Sequence, residues 1–156
     1  MKVKKIMKKN KALLMIGVLL AITVFAAIAH LSIRKNVPES AIEVLAGEES
    51  QIVDIAELAY EQVTGIRVNG KGEEKEISTS GILLKSVLAE AGITEYAKVS
   101  VVADDAYSVD ILAKEVTDNT KVYLIQEEGE ERLRLIVFGD EDSKRSVSNV
   151  MQIIVE

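Results

Sequence analysis

Residues 80–92, Ser-Gly-Ile-Leu-Leu-Lys-Ser-Val-Leu-Ala-Glu-Ala-Gly, form the most clearly patterned segment of this 156-residue chain. Its apolar residues recur at helical spacing, at Leu84, Val87, Leu88 and Ala91. Ser80 can cap the first free amides, and Gly92 follows the last apolar residue, where a positive φ costs glycine little. The pattern predicts an amphipathic helix over 80–92 with one face in a core.

Short apolar or alternating runs surround this helix and are typical of strands. We expect strands at 42–45, 62–68, 73–78, 99–103, 107–111, 122–126, 133–137 and 153–155. Asn69-Gly70 suits a hairpin turn, and the charge of 73–78 favours an edge strand or a loose loop. The spacing of Ile52, Ile55, Ala56 and Ala59 predicts a short helix over 52–60, and 113–116 can form one helical turn. These elements predict a strand-rich, mixed α+β domain.

A different kind of segment precedes this domain. Residues 12–33, ALLMIGVLLAITVFAAIAHLSI, carry no formal charge and are long enough for a helix to cross the hydrocarbon core of a bilayer. Six lysines precede the segment and only Arg34 and Lys35 follow it, so the positive-inside rule predicts a cytoplasmic N-terminus. A cleaved signal peptide is the alternative, because Ala27-Ile28-Ala29 is similar to a cleavage site.

The expected organisation therefore has four parts, and it locates the chain at the cell membrane as a single-pass protein. Residues 1–11 form a basic cytoplasmic tail, 12–33 a transmembrane anchor that binds the membrane (Ala12 to Ile33), 34–40 a linker, and 41–156 an extracytoplasmic domain.

The charge of the outer part narrows the choice of partners. From residue 36 onward the chain has 11 basic and 25 acidic residues, a formal charge of −14. Such a domain repels nucleic acid, whose phosphates need Lys and Arg to displace counterions. The chain has no Cys, and its one His is His30, so thiolate metal sites and Ser–His–Asp triads lack their central residues.

Glycine-rich residues 65–72, Gly-Ile-Arg-Val-Asn-Gly-Lys-Gly, nearly match a phosphate-binding loop. Gly72 occupies the position of the Ser or Thr that would hold Mg²⁺, and a hairpin rather than a helix is expected to follow. The pattern therefore favours a β-turn over a nucleotide site.

Four segments occur in an order that resembles the sulfite-oxidase-type molybdopterin-binding domain of oxidoreductases. They are the helix at Gly81–Gly92, the turn Asp105-Ala106-Tyr107, the strand Arg132-Leu-Arg-Leu-Ile-Val-Phe-Gly139, and Arg145-Ser146-Val147. The resemblance covers about half of the chain and implies that family's fold. Ala106 replaces a Gly of the family pattern, and both prolines of the 132–139 pattern are missing.

The resemblance implies a cofactor cleft, and it also implies that the metal chemistry is lost. Active members of the family hold molybdenum through a Cys thiolate, and a harder ligand such as Ser or Asp does not replace it. The family's Lys near the last strand is Ser148 here. We expect the cleft to be lined by five residues, Tyr107, Arg134, Lys144, Arg145 and Ser146. No cofactor is expected, and molybdopterin is implied by the resemblance alone.

Three functions stay open from the sequence. The leading hypothesis is a membrane-anchored envelope protein that binds a small ligand or a protein partner in this cleft, without molybdenum catalysis. The second is a pterin-dependent oxidoreductase or a redox subunit. The third is a structural interaction module that uses its acidic surface.

Overall fold

The structure is a computed structural model that describes residues 37–156, so the predicted tail and anchor lie outside the described residues. Strands account for 47% of this part of the chain and helices for 12%, which confirms the strand-rich mixed α+β prediction. Within 37–156, no helix is long and apolar enough to span a membrane.

Nine strands and two short helices make up the described residues. The strands are β1 (Ala41–Ala46), β2 (Glu49–Asp54), β3 (Glu61–Val68), β4 (Glu74–Leu83), β5 (Lys98–Ala103), β6 (Ser108–Leu112), β7 (Val122–Ile125), β8 (Arg134–Val137) and β9 (Val150–Val155). The helices are α1 (Leu84–Glu90) and α2 (Ala113–Val116), and a 3₁₀ turn covers Ile55–Glu57. Most strands and the turn at 113–116 lie where the sequence predicts them.

The strands form two sheets. The five-stranded sheet has the order β2-β1-β9-β5-β6, in which β1 and β9 run parallel and all other neighbours are antiparallel. The four-stranded sheet has the order β3-β4-β7-β8 and is antiparallel throughout. Since β1 and β9 lie near opposite ends of the described residues, this pairing brings the two ends of the domain together inside the five-stranded sheet.

The main core fills the space beneath both sheets and α1. It includes the apolar face of α1 and alternate residues of the strands, such as Ile42, Ile82, Leu124, Leu135 and Ile153, none more than 1% exposed. This alternation follows from the strand period of two, which sends every second side chain to the same face.

A second, smaller apolar cluster lies on the other face of the four-stranded sheet. Val63, Tyr123, Ile125 and Ile136 are its buried members, and Phe138 packs against them. The rings of Tyr123 and Phe138 meet edge to face, with centroids 5.9 Å apart. Both faces of this sheet are therefore apolar and covered where β7, β8 and the end of β4 pair.

Helix α1 is shorter than predicted. Gly81, Ile82 and Leu83 pair with β7 as the end of β4, and the Gln126 amide donates to the Ser80 carbonyl, so Ser80 does not cap the helix. The predicted end is confirmed, because Gly92 has a φ of +72°. The Ile93 amide donates to the Leu88 carbonyl at 2.8 Å, which completes a glycine-terminated helix end.

The predicted helix over 52–60 is wrong. Residues 49–54 form β2, in which Val53 is buried and Ile52 is 53% exposed. Ile52 and Ile55 have helical spacing in the sequence, but Ile52 faces solvent and its neighbour Val53 is buried, as expected for a strand. The Asp54 side chain ends the strand by accepting from the Ala56 amide at 3.0 Å.

The hairpin between β3 and β4 is confirmed, but its geometry differs from the prediction. The positive φ falls on Gly72, at +79°, and the Asn69 side chain accepts from the Lys71 and Glu73 amides at 2.8 and 3.0 Å. Strand β4 has the predicted edge character over residues 74–80, which pair with no described strand other than β3, and it is an interior strand only at its end. It pairs with β3 along its whole length except residue 82 onward, and with β7 only at residues 81–83.

Candidate functional site

The five residues of the predicted cleft lie around the segment that joins β8 to β9. The Tyr107 hydroxyl donates to the Lys144 carbonyl at 2.6 Å, and the Arg134 Nη1 donates to the Ser146 hydroxyl at 3.3 Å. Arg145 lies between these two contacts in sequence. The structure thus brings the predicted residues to one connecting segment, with Tyr107 entering from the start of β6.

Arg145 is engaged on both sides of its guanidinium group. Its Nε donates to Asp140 at 2.9 Å, and its Nη1 donates to Glu115 of α2 at 2.8 Å. The hydrogen bond to Asp140 raises the pKa of Arg145, and the bond to Glu115 raises it further against the opposing effect of burial. Burial raises the pKa of Glu115, but the bonds from Arg145 and the Leu112 amide outweigh it, so that pKa lies below its usual range.

Arg134 belongs to a second group of charges, which we call the Glu127 cluster and which comprises Arg67, Glu127, Glu130 and Arg134. Arg134 forms ion pairs with both Glu127 and Glu130. Arg67 of β3 reaches the same Glu127 carboxylate, with an Nη2–Oε1 distance of 2.5 Å. The side chains of all four residues are at most 26% exposed, so the cluster is a partly buried network that joins β3 to the β7–β8 turn.

Lys144 and Tyr107 contribute little recognition chemistry. The Lys144 side chain is 84% exposed and pairs with Asp142 at 2.7 Å. Tyr107 is 49% exposed, and its amide donates to the Asp105 side chain at 2.9 Å. The preceding Ala106 has a φ of +71°, a conformation that glycine adopts without strain and alanine does not.

This arrangement does not fit the cofactor that the resemblance implies. Arg134, Lys144 and Arg145 each already hold at least one carboxylate, so a phosphate would have to displace Asp140, Glu127 or Asp142. The chain also has no Cys to supply a thiolate ligand to molybdenum. Of the predicted cleft residues, Arg134 and Arg145 therefore join separate segments of the domain through ion pairs, and we assign no pterin chemistry to the group.

A separate opening lies beside β3, and we call it the β3 cleft. Its volume is about 680 Å³, within the range of about 300–1,000 Å³ that is typical of ligand sites. It is lined by residues 64–66 and Val68 of β3, Gly72 and Glu74 of the hairpin, Thr120, and residues 138–141.

The floor of the β3 cleft depends on Gly65. A Cβ at this position would lie 2.5 Å from Cε1 of Phe138, so only glycine lets the ring pack directly on the strand. Phe138 in turn contacts Tyr123 of the second apolar cluster. The cleft therefore has an apolar floor that is continuous with that cluster.

The rim of the β3 cleft is acidic. Glu74 and Glu141 line it, and Glu76 lies beside it with Ile66 and Thr64. Within residues 37–156, these three carboxylates take part in no ion pair and no side-chain hydrogen bond. They differ in this respect from Asp140, which lines the same cleft but is bound to Arg145.

Sequence reasoning did not identify this cleft. The sequence pattern of 65–72 is a near match to a phosphate-binding loop and does not indicate a cleft. The structure confirms the β-turn interpretation of this segment. One signal was available, because a glycine inside an alternating strand often marks a close approach of another group. The approaching residue, Phe138, is 73 positions away, and no local pattern connects the two.

Comparisons with known proteins do not identify a family: no protein-family model matches this chain, and no curated protein matches it significantly. In the part of the chain that the structure describes, no group of three or more His, Cys, Asp or Glu side chains has an arrangement that could hold a metal ion.

Proposed function

We propose that this chain is a membrane-tethered, extracytoplasmic binding protein that holds a partner in the β3 cleft. The apolar residues 12–33, preceded by six lysines, support the tether and its orientation. The β3 cleft carries the proposal for binding, because it combines an apolar floor with unpaired carboxylates and an exposed strand edge.

The redox alternative has weaker support. Its cofactor would use the basic residues near the β8–β9 connection, and those residues are paired with carboxylates. The acidic-surface alternative is compatible with the proposal, since the β3 cleft is one part of that surface. We therefore retain binding as the proposed function, without molybdenum chemistry.

The absence of cysteine from the natural sequence makes the orientation directly testable. Single cysteines would be introduced by Lys8→Cys in the basic tail and by Lys71→Cys in the exposed β3–β4 turn. With a membrane-impermeant maleimide on intact cells, we expect labelling of the Lys71→Cys variant, and labelling of Lys8→Cys only after lysis. The opposite pattern would contradict the tether orientation, and a chain whose mass lacks residues 1–29 would identify a cleaved signal peptide.

Binding in the β3 cleft is tested by photo-crosslinking in living cells. A photoreactive amino acid would replace Ile66, which is 57% exposed at the cleft, or Ile52, which is 53% exposed on β2. We expect a discrete crosslinked product from position 66 only. Products of equal yield from both positions, or none from either, would contradict binding at this site.

A further inference from the structure

The four strands at the ends of the two sheets, β2, β6, β3 and β8, differ in how they are protected. Edge strands attract additional strands unless they are short, covered or interrupted by charge. Strands β2, β6 and β8 are six, five and four residues long. The free edge of β8 is also partly covered, because Leu135 and Val147 exchange two backbone hydrogen bonds at 2.8 and 3.2 Å.

Strand β3 is less protected than these three, although it carries Glu61 at its start and Arg67 near its end. It is eight residues long, contains no proline, and pairs with β4 in one unbroken register from Glu61 to Val68. Its one basic residue, Arg67, turns to the covered side of the sheet and binds Glu127. Within residues 37–156, no other strand pairs with the free edge of β3, and that edge opens into the β3 cleft.

The register of the β3–β4 hairpin defines what an added strand would meet. Val63, Gly65 and Arg67 face the second apolar cluster, so Thr64, Ile66 and Val68 face outward. Ser78, Glu76 and Glu74 pair directly with these outward residues and therefore lie on the same face.

A strand beside β3 would lie about 10 Å from β4, which is two strand spacings. A lysine or arginine on the outward face of that strand spans this gap over Ile66 and reaches Glu74 and Glu76. Side chains on its other face would enter the cleft near Phe138 and Glu141, where small or apolar residues pack against the ring and a basic residue pairs with the carboxylate.

We infer that the free edge of β3 accepts an extended segment of a partner protein as a fifth strand of this sheet, and that the segment alternates basic with apolar side chains. The inference rests on the proposed binding function and specifies its partner and mode. Backbone hydrogen bonds supply affinity in such strand addition, and alternate side chains supply specificity.

A second copy of this domain is a poor occupant. Each copy carries a formal charge of −14 from residue 36 onward, and the carboxylates at the cleft would face carboxylates of the other copy. A basic segment, in contrast, places opposite charges at three carboxylates that lack partners within the described residues. Charge complementarity therefore favours a basic segment of another protein over a second copy of this chain.

The test uses the full chain in detergent and fluorescent heptapeptides that carry alternating Lys and Val. We expect this peptide to bind, measured by fluorescence anisotropy, about tenfold more tightly than a block peptide of the same composition or an alternating Glu–Val peptide. Ile66→Lys should weaken binding at least about tenfold, and Ile52→Lys, at an equally exposed isoleucine of the other sheet, should leave it unchanged.

Methylation of the peptide nitrogens tests the backbone mode. Methyl groups on the Lys nitrogens or on the Val nitrogens block opposite edges of the peptide strand, so one of the two methylated peptides should lose binding and the other keep it. Equal behaviour of the two would overturn strand addition. The double variant Glu74→Gln/Glu76→Gln should weaken binding about fivefold without changing the thermal midpoint, and an unchanged affinity would overturn the acidic-rim argument.

The outcomes also separate this inference from the proposed function. A crosslink at position 66 in cells without binding of the alternating peptide overturns strand addition alone. Peptide binding without a crosslink in cells overturns the proposed function alone.

Discussion

The outer faces of the two sheets are built in opposite ways. On the five-stranded sheet, Glu43 accepts hydrogen bonds from Ser50 and Gln152 at 2.7 and 2.6 Å, and Asp110 accepts from Ser100 at 2.6 Å. On the four-stranded sheet, the corresponding face consists of buried apolar side chains, Val63, Tyr123, Ile125 and Ile136. The outer face of the five-stranded sheet is polar and faces solvent. The outer face of the four-stranded sheet is apolar and must be covered by other parts of the protein.

The cover of the four-stranded sheet comes from its own strands. Strand β4 has ten residues, and only its last three pair with β7, so the earlier part and β3 form a two-stranded ribbon. Phe138 packs on Gly65 of that ribbon, and Arg67 fixes it to Glu127. Because the ribbon is used as the cover, no described strand pairs with the free edge of β3. The β3 cleft lies at this edge.

The largest expected effect tests whether both faces of the four-stranded sheet are core. Leu135→Ala and Ile136→Ala remove neighbouring, buried side chains from opposite faces of β8, and each should cost about 2–5 kcal/mol of stability. In β9 of the other sheet, Ile153→Ala should cost as much, whereas the half-buried Ile154 should cost about 1 kcal/mol or less. Urea unfolding curves measure all four values. A loss for Ile136→Ala as small as that for Ile154→Ala would contradict a second apolar cluster.

The next prediction concerns Gly65 of the ribbon and Gly81, where the ribbon joins β7. A Cβ at Gly81 would lie 2.9 Å from Cγ2 of Ile125 and 3.1 Å from the Leu124 carbonyl oxygen, so Gly81→Ala should cost about 1–3 kcal/mol. The three atoms nearest to a Cβ at Gly65 all belong to the ring of Phe138, a side chain beside the cleft that we expect to move more easily than a backbone carbonyl. Gly65→Ala should therefore cost less than Gly81→Ala in the same unfolding experiment.

A double-mutant cycle controls this comparison. The cost of Gly65→Ala should fall when Phe138→Ala is already present, because the contacting ring is gone. Additive costs would show that Gly65 and Phe138 do not contact each other.

Local pattern was sufficient for much of the fold. The apolar spacing of Leu84, Val87 and Leu88 predicts α1, and the alternation in 62–68 predicts β3, because both periods are set by the backbone alone. The same reasoning failed at Ile52, whose exposure on a strand depends on what its neighbours in space cover. The order of the strands in a sheet depends on contacts between distant segments, such as β1 and β9, which are more than 100 residues apart. The pattern of a short segment does not indicate such contacts.

The candidate site was predictable only in part. The sequence predicts a group of basic residues near the β8–β9 connection because they are close in the chain, and the structure gives Arg134 and Arg145 different carboxylate partners. It could not assign Glu115 to Arg145 or Glu127 to Arg67, because those partners come from distant elements. A count of charges therefore predicts an anion pocket, whereas the folded chain pairs Arg134 and Arg145 with carboxylates. Arg132 instead donates to the Val37 and Ala41 carbonyls.

A smaller effect should separate the ion pairs of the two sheets. Arg67 and Glu127 have side chains that are 17% and 26% exposed, whereas Asp110, the partner of Lys98, is 57% exposed. Arg67→Met should destabilise the chain by about 1–3 kcal/mol, because it removes hydrogen bonds to a partly buried charge. Lys98→Met should leave stability nearly unchanged, since exposed ion pairs contribute little. Equal losses in urea unfolding would contradict the view that Arg67 fixes the ribbon.

The smallest expected effect is the pH dependence of the same two regions. Burial raises the pKa of Glu127, but the hydrogen bond from Arg67 and the charges of Arg134, Arg67 and Lys75 outweigh it, so the pKa lies below its usual range. A carboxyl whose pKa is lower in the folded than in the unfolded chain stabilises the fold above about pH 4.3, and this stabilisation is lost as the pH falls through the folded value.

Stability should therefore decrease as the pH falls below about 5, and Glu127→Gln should flatten that decrease. Asp110 of the five-stranded sheet also has a lowered pKa, through hydrogen bonds from Ser100 and Lys98, but it is exposed to solvent. Solvent screening reduces its contribution, so Asp110→Asn should flatten the decrease less than Glu127→Gln does. The slopes of unfolding free energy against pH for the three proteins measure this order. A larger change in slope for Asp110→Asn than for Glu127→Gln would show that the solvent-exposed carboxylate contributes more to stability. That result would contradict the proposed difference between the two sheets.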